Sequence, residues 1–114
     1  MGAIKSSTIL LRLGNQYLIQ AASFLKTEIA LSYGLDQAMM LAILEFDFYT
    51  TRQVHSLIEI DSKEYSTTTV ERLIELTGIW DLEQAVNIIS CLISSELITV
   101  ISNFKSGKMI FCIN

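Results

Sequence analysis

The fold turns on residues 68–114, TTVERLIELTGIWDLEQAVNIISCLISSELITVISNFKSGKMIFCIN. Thr68-Thr69-Val70-Glu71 is a capping-box pattern, in which the Thr68 hydroxyl and the Glu71 carboxylate satisfy reciprocal free amides at a helix start. It predicts a short helix over Thr69–Thr77, ended by Gly78. Ile79-Trp80 bridges to Asp81, and Asp81-x-x-Gln84 repeats the pattern with an acid in place of the hydroxyl. From there Leu82, Ala85, Val86, Ile89, Leu92, Ile93 and Leu97 recur at i, i+3/i+4, i+7, which predicts an amphipathic helix over Leu82–Ser95. Ile98–Ser102 and Met109–Ile113 read as two strands joined by Asn103–Lys108, a β-hairpin with a basic tip. A short helix, a tight Gly-containing turn and a longer helix make a helix-turn-helix over about 68–96. The hairpin over about 97–114 makes it winged.

Upstream, Leu10–Leu13 and Tyr17–Gln20 are β-compatible and flank Gly14-Asn15, a pair suited to a type II′ turn, so an N-terminal β-hairpin is expected. Ala21–Tyr33 reads as a helix, with Phe24, Leu25, Ile29 and Leu31 near one side and Gly34 closing it. Asp36 is expected to cap a second helix over Gln37–Phe48. Its stripe of Met40, Leu41, Leu44 and Phe48 is widened almost all round by Ala38, Met39, Ala42 and Ile43, the mark of a helix central to a core or an interface. Val54–Ile60 alternates loosely and is either a strand or a ragged extension of that helix, followed by a turn at Asp61-Ser62-Lys63. Together these elements predict one α+β domain over residues 1–114, mainly helical: a winged helix-turn-helix with an N-terminal β-hairpin and a C-terminal β-hairpin wing.

The composition bounds what such a domain does. Of 114 residues, 51% are hydrophobic and only 18% charged, with no proline. An average soluble domain is about 25% charged, so there is more apolar material here than one small core usually consumes, and a buried protein–protein face is expected. No apolar run approaches the roughly 20 residues of a membrane span. A secretory leader is not expected from Met1–Leu11, which places the chain in the cytoplasm with Cys91 and Cys112 reduced and buried as small hydrophobes. Met1–Ser6 fits the short N-myristoylation pattern, which recurs by chance, and lipidation is not expected. Net charge is −4. Residues 1–57 carry four cations and four anions, residues 59–96 two cations and eight anions, and Lys105 and Lys108 the remainder.

Two stretches resemble a known family. Phe24–Leu44, FLKTEIALSYGLDQAMMLAIL, is similar to the opening segment of bacterial and phage replication proteins of the DnaT-like and DnaD N-terminal type, with Gly34-Leu35-Asp36-Gln37-Ala38 as the turn into an apolar helix. Thr69–Val100 is similar to their helix-turn-helix, with Trp80 at the aromatic position that ends the turn. Glu96-Leu97-Ile98 departs from the pattern, with Glu where Gly is usual. The resemblance covers about the last four-fifths of the chain. It implies a winged-helix domain serving replication initiation or restart in a primosome-like assembly, as an oligomerising or adaptor unit. Expected partners are then a second copy and replication proteins such as a helicase or helicase loader.

The site residues follow from charge. A helix-turn-helix that reads DNA places its second helix in the major groove. The exposed face predicted from spacing is Glu83, Asn87, Ser90 and Ser94, and no Lys or Arg occurs between Asp81 and Ser95. Phosphate neutralisation drives DNA affinity, so this acidic block argues against groove binding. If nucleic acid is met at all, Lys105 and Lys108 on the wing are the candidates, with Arg72 behind them; simple solubility explains the two lysines equally well. Trp80 is either a core plug or an interface anchor, the first favoured. Phe46, Phe48 and Tyr49, with Met39 and Met40, are the other interface candidates. His55 is the sole histidine, the cysteines lack zinc spacing and no phosphate loop occurs, so neither an enzyme nor a cofactor is expected. The expected role is an oligomerisation or adaptor domain with weak or absent DNA binding. The alternative is a DNA-binding transcription regulator of the winged-helix class.

Overall fold

A computed structural model describes residues 17–53 and 57–114. The chain is α+β and mainly helical, with one four-stranded antiparallel sheet. In order come a helical segment α1 over residues 17–22, α2 (Thr27–Tyr33), α3 (Leu35–Gln53), β1 (Ile58–Ile60), β2 (Lys63–Thr69), α4 (Val70–Thr77), α5 (Leu82–Ser94), β3 (Ile98–Val100) and β4 (Lys108–Ile113). The sheet order is β1-β2-β4-β3.

The central helix is α3. It buries Ala38, Met40, Leu41, Ala42, Ile43, Leu44 and Asp47, because it is packed by α2, α5 and the sheet at once. The apolar residues of its middle turns are therefore consumed by this chain's own core, while Leu35 and Tyr49 toward its ends stay exposed. The helix is longer than the expected Gln37–Phe48 and begins at Leu35, so Asp36 lies inside its first turn instead of capping it.

Two further expectations are corrected upstream of α4, and a third is resolved. Tyr17–Gln20 is helical, not a strand; Leu10–Leu13, the other half of the expected N-terminal hairpin, lies outside the described residues. Tyr17 and Leu18 pack on the core, with the Tyr17 ring edge-on to Phe46 at 5.3 Å between centroids. Ala21–Tyr33 is not one helix. A turn at Ser23-Phe24 separates α1 from α2, held by Phe24 N–H to Ala21 O at 2.9 Å and Leu25 N–H to Ala22 O at 3.0 Å. The turn lets Phe24 stack toward Phe46 and Tyr49, at 6.1 and 5.9 Å, and folds α2 back along α3, where Lys26 Nζ meets Glu45 Oε1 at 2.9 Å. Of Val54–Ile60, which the sequence leaves open between strand and helix extension, Ile58–Ile60 is strand and residues 54–56 lie outside the described residues; the preceding helix runs on to Gln53.

The strand that organises the sheet is the polar stretch Lys63–Thr69. Asp61 and Ser62, both at positive φ (52° and 65°), turn β1 into β2 as a two-residue hairpin of the primed type. Next β2 pairs with β4 in the register Ser66↔Phe111 and Thr68↔Met109. Period-two alternation then points Ser66, Thr68, Met109 and Phe111 to one face, and all four are buried. That alternation also decides the helix cap. Thr68 is held in the strand facing inward, so Thr69 becomes the N-cap, its hydroxyl accepting from Arg72 N–H at 3.0 Å. The expected reciprocal box at Thr68 and Glu71 does not form; a one-sided cap at Thr69 takes its place.

Downstream, α5 and its caps form where expected, while the closing strands are Ile98–Val100 and Lys108–Ile113 in place of Ile98–Ser102 and Met109–Ile113. Gly78 ends α4 at φ 62°, ψ 17°, its N–H donating to Ile74 O at 2.8 Å. Asp81 and Gln84 form both halves of a capping box, at 2.8 and 3.0 Å. The exit of α5 is a Schellman turn: Leu97 N–H donates to Leu92 O and Glu96 N–H to Ile93 O, each at 3.0 Å. Glu96 occupies its left-handed position at φ 60°, where glycine is the usual residue. Asn114 clamps this corner, donating from its side chain to Glu96 O at 2.8 Å and from its backbone to Leu97 O at 3.0 Å. The C-terminal hairpin follows, with Ile98↔Ile113 and Val100↔Phe111 paired and a 3₁₀ turn over Phe104–Ser106 at its tip.

Candidate functional site

The three residues singled out for nucleic acid separate into two kinds. Lys105 lies in the tip turn and Lys108 opens β4, both exposed and neither in an ion pair. Arg72 is committed inward instead. Its guanidinium donates to Asp47 Oδ1 at 2.6 Å and to the Thr68 hydroxyl at 3.3 Å. Asp47 is only 3% exposed, so this is the tie between α3 and α4. Burial works against the charge on Arg72, but the hydrogen bond and attraction from Asp47 outweigh it and raise its pKa. Around the pair, Thr51 donates to Asp47 O at 2.8 Å and Ser66 to Thr51 at 3.2 Å. Asp47 Oδ2 and the Tyr17 hydroxyl remain buried without a partner. Burial, reinforced by the charge of Asp47, pushes the Tyr17 phenol up to about 12.

The solvent face of α5 carries Glu83, Asn87 and Ser94, as spacing predicts, with Ser90 half-buried. It also carries two residues expected to be covered. Leu82 is 53% exposed, because it is the first residue of the helix and the core lies behind Ala85 and Ile88–Ile89. Cys91 is exposed, whereas Cys112 is buried. Thus the helix that would enter a groove offers Leu82, Glu83, Gln84, Asn87 and Cys91, and no cation.

Trp80 is buried and belongs to the core cluster, its indole N–H donating to Asp36 Oδ1 at 3.2 Å. This bond joins the turn before α5 to the first turn of α3. Met40 is buried, Met39, Phe46 and Phe48 are half-buried, and Tyr49 is exposed. Phe48 packs against Phe111 at 6.4 Å. Of this group, Tyr49 offers the most surface. With Arg52 it lines two neighbouring hollows, one of about 670 Å³ with Gln53, Leu57 and Glu64, and one of about 250 Å³ with Phe24, Phe48 and Ile113. Among the described residues no group of three or more His, Cys, Asp or Glu is placed to hold a metal ion. Nor, among them, is any helix long and apolar enough to cross a membrane.

No family model matches the chain, and neither a curated protein nor a solved structure matches it.

Proposed function

We propose that this chain is a winged helix-turn-helix domain that works by protein–protein association, as an oligomerisation or adaptor unit of a DNA-replication initiation or restart assembly in the cytoplasm, with at most weak DNA binding. The element order supports the winged-helix reading. A core helix (α3), a strand (β2), two helices joined by a Gly-containing turn (α4, α5) and a hairpin (β3–β4) follow one another, and β2 pairs with the hairpin through β4. The replication assignment rests on the resemblance of Phe24–Leu44 and Thr69–Val100 described above. A second copy is one partner, met at the Tyr49 end of α3, and a helicase or helicase loader is another.

One observation carries the preference for association over gene regulation: the exposed face of α5 has no cation, and the Arg72 guanidinium is tied to buried Asp47. A reading helix normally carries phosphate contacts beside its base contacts. Among the described residues, the wing lysines are then the phosphate ligands nearest α5, and two contacts give a shallow salt dependence.

The test is duplex-DNA binding across salt concentration, run beside sedimentation of the same protein. The adaptor reading expects self-association, and DNA affinity that vanishes at physiological salt with Lys105→Glu/Lys108→Glu. Tight binding with a salt slope of several phosphates, lost with Asn87→Ala and indifferent to the lysines, would establish the regulator reading instead.

A further inference from the structure

We propose that the end of the molecule where the α2–α3 turn meets the α4–α5 turn is a docking surface for a basic amphipathic helix of a partner protein. The inference rests on the adaptor reading and names the surface and the chemistry of what it binds.

The surface is assembled from three segments. The Trp80–Asp36 hydrogen bond pins the turn before α5 against the start of α3. The Lys26–Glu45 pair holds α2 antiparallel along α3, so the C-terminal end of α2 comes to the same place. Four large apolar side chains are left exposed there: Leu31 (84%), Leu35 (64%), Ile79 (46%) and Leu82 (53%). Scattered exposed apolar residues need no explanation, but a gathering of several at one end marks an interaction site.

Charge selects the occupant. The segments that meet at this end lie within residues 27–51 and 73–104, which contain no Lys or Arg at all. Glu28, three residues before Leu31, Asp36 beside Leu35, and Asp81 and Glu83 on either side of Leu82 rim the apolar residues, and all four are exposed. A second copy docking here about a twofold axis sets acid against acid. Anionic lipid and nucleic acid are repelled for the same reason. A helix with an apolar stripe at i, i+3/i+4 and i+7, flanked by Lys or Arg, satisfies both features: apolar anchors on the leucines and isoleucine, cations on the rim.

The sole tryptophan, Trp80, lies directly beneath this surface and reports on it. The experiment titrates the full chain with a labelled Leu/Lys amphipathic helix of about 18 residues, ~27 Å long. Controls are a Leu/Glu helix of the same pattern and a scrambled Leu/Lys peptide of equal composition. Expected are saturable anisotropy with a change in Trp80 emission for the Leu/Lys helix, no binding of the Leu/Glu helix, and a scrambled peptide weaker by roughly tenfold or more. Leu35→Ser/Leu82→Ser and, separately, Glu28→Lys/Glu83→Lys each weaken binding by roughly tenfold or more, with the circular dichroism spectrum unchanged. Ile58→Ser/Ile60→Ser, an exposed apolar pair on the β1–β2 hairpin at the other end of α3, leaves it unaltered. The proposal is overturned if the scrambled peptide binds equally, if the substitutions at Leu35 and Leu82 have no effect, or if they abolish self-association while the Leu/Lys helix fails to bind, which makes a second copy the occupant. The adaptor reading fails separately, by monomeric sedimentation together with tight salt-resistant DNA binding.

Discussion

Replacing Arg72 by Met removes the one cation that, among the described residues, pairs with Asp47. The methionine keeps most of the aliphatic stem, so the loss is chiefly electrostatic. Asp47 is 3% exposed and Oδ2 is already unpartnered, so removal of the 2.6 Å bond to Oδ1 leaves the carboxylate with neither side-chain donor nor counter-ion. Breaking a fully buried pair costs about 3–5 kcal/mol. The Arg72 side chain is 48% exposed, which lets water reach the pair, so the expected loss is toward the low end, about 2–3 kcal/mol. At about 4–8 °C per kcal/mol for a domain near this size, the melting temperature falls by roughly 10–20 °C. The double variant Asp47→Leu/Arg72→Met restores most of the loss, because neither group is then stranded. Chemical denaturation of all four proteins of the cycle yields the coupling energy. A cost below about 1 kcal/mol for Arg72→Met, close to that of an ordinary surface change, would refute the assignment of Arg72 as a structural tie and return it to the nucleic-acid candidates.

The Tyr17 hydroxyl is buried without a partner, so Tyr17→Phe is expected to be neutral or to stabilise by up to ~1 kcal/mol. It is also expected to change the alkaline limb: the unfolded chain releases this proton near 10 while the folded chain holds it to about 12, so the phenol's contribution is whole below pH 10 and lost as pH rises to 12. Denaturation midpoints from pH 9 to 12 for the two proteins show it as a diverging difference, and parallel curves refute it. Glu96→Gly is expected to stabilise by about 0.5–1 kcal/mol, since Glu96 is held at φ 60°, whereas Gly78→Ala at φ 62° destabilises by about 1 kcal/mol. Thermal melts of the pair must move in opposite directions. Finally, a thiol reagent should label Cys91 at once in the native protein and Cys112 only on unfolding, because one is exposed and the other buried.

The local signals in residues 68–114 were sufficient for α4, its glycine stop, the Asp81 cap, α5 and the closing hairpin, because caps, turn residues and helical period act over three or four residues. The missing cations on α5 were equally plain, since charge needs no fold to be counted. What needed the tertiary structure is everything decided by neighbours distant in sequence. Tyr17–Gln20 has strand-compatible residues but is helical where Tyr17 meets Phe46; strand preference is set by what the side chains pack against. Lys63–Thr69 shows no apolar alternation, and becomes an interior strand only because β1 and β4 flank it and Thr51 and Arg72 meet the hydroxyls on its inner face. Arg72 reads as a surface cation until α3 brings Asp47 to it from 25 residues away. The same limit hid the apolar end: Leu31, Leu35, Ile79 and Leu82 each read as an ordinary member of a helix or turn. Only the contact between Trp80 and Asp36, 44 residues apart, brings together the turns beside which they lie. Short-range physics wrote the elements into the sequence, and the long-range pairing of polar groups decided which surfaces those elements leave open.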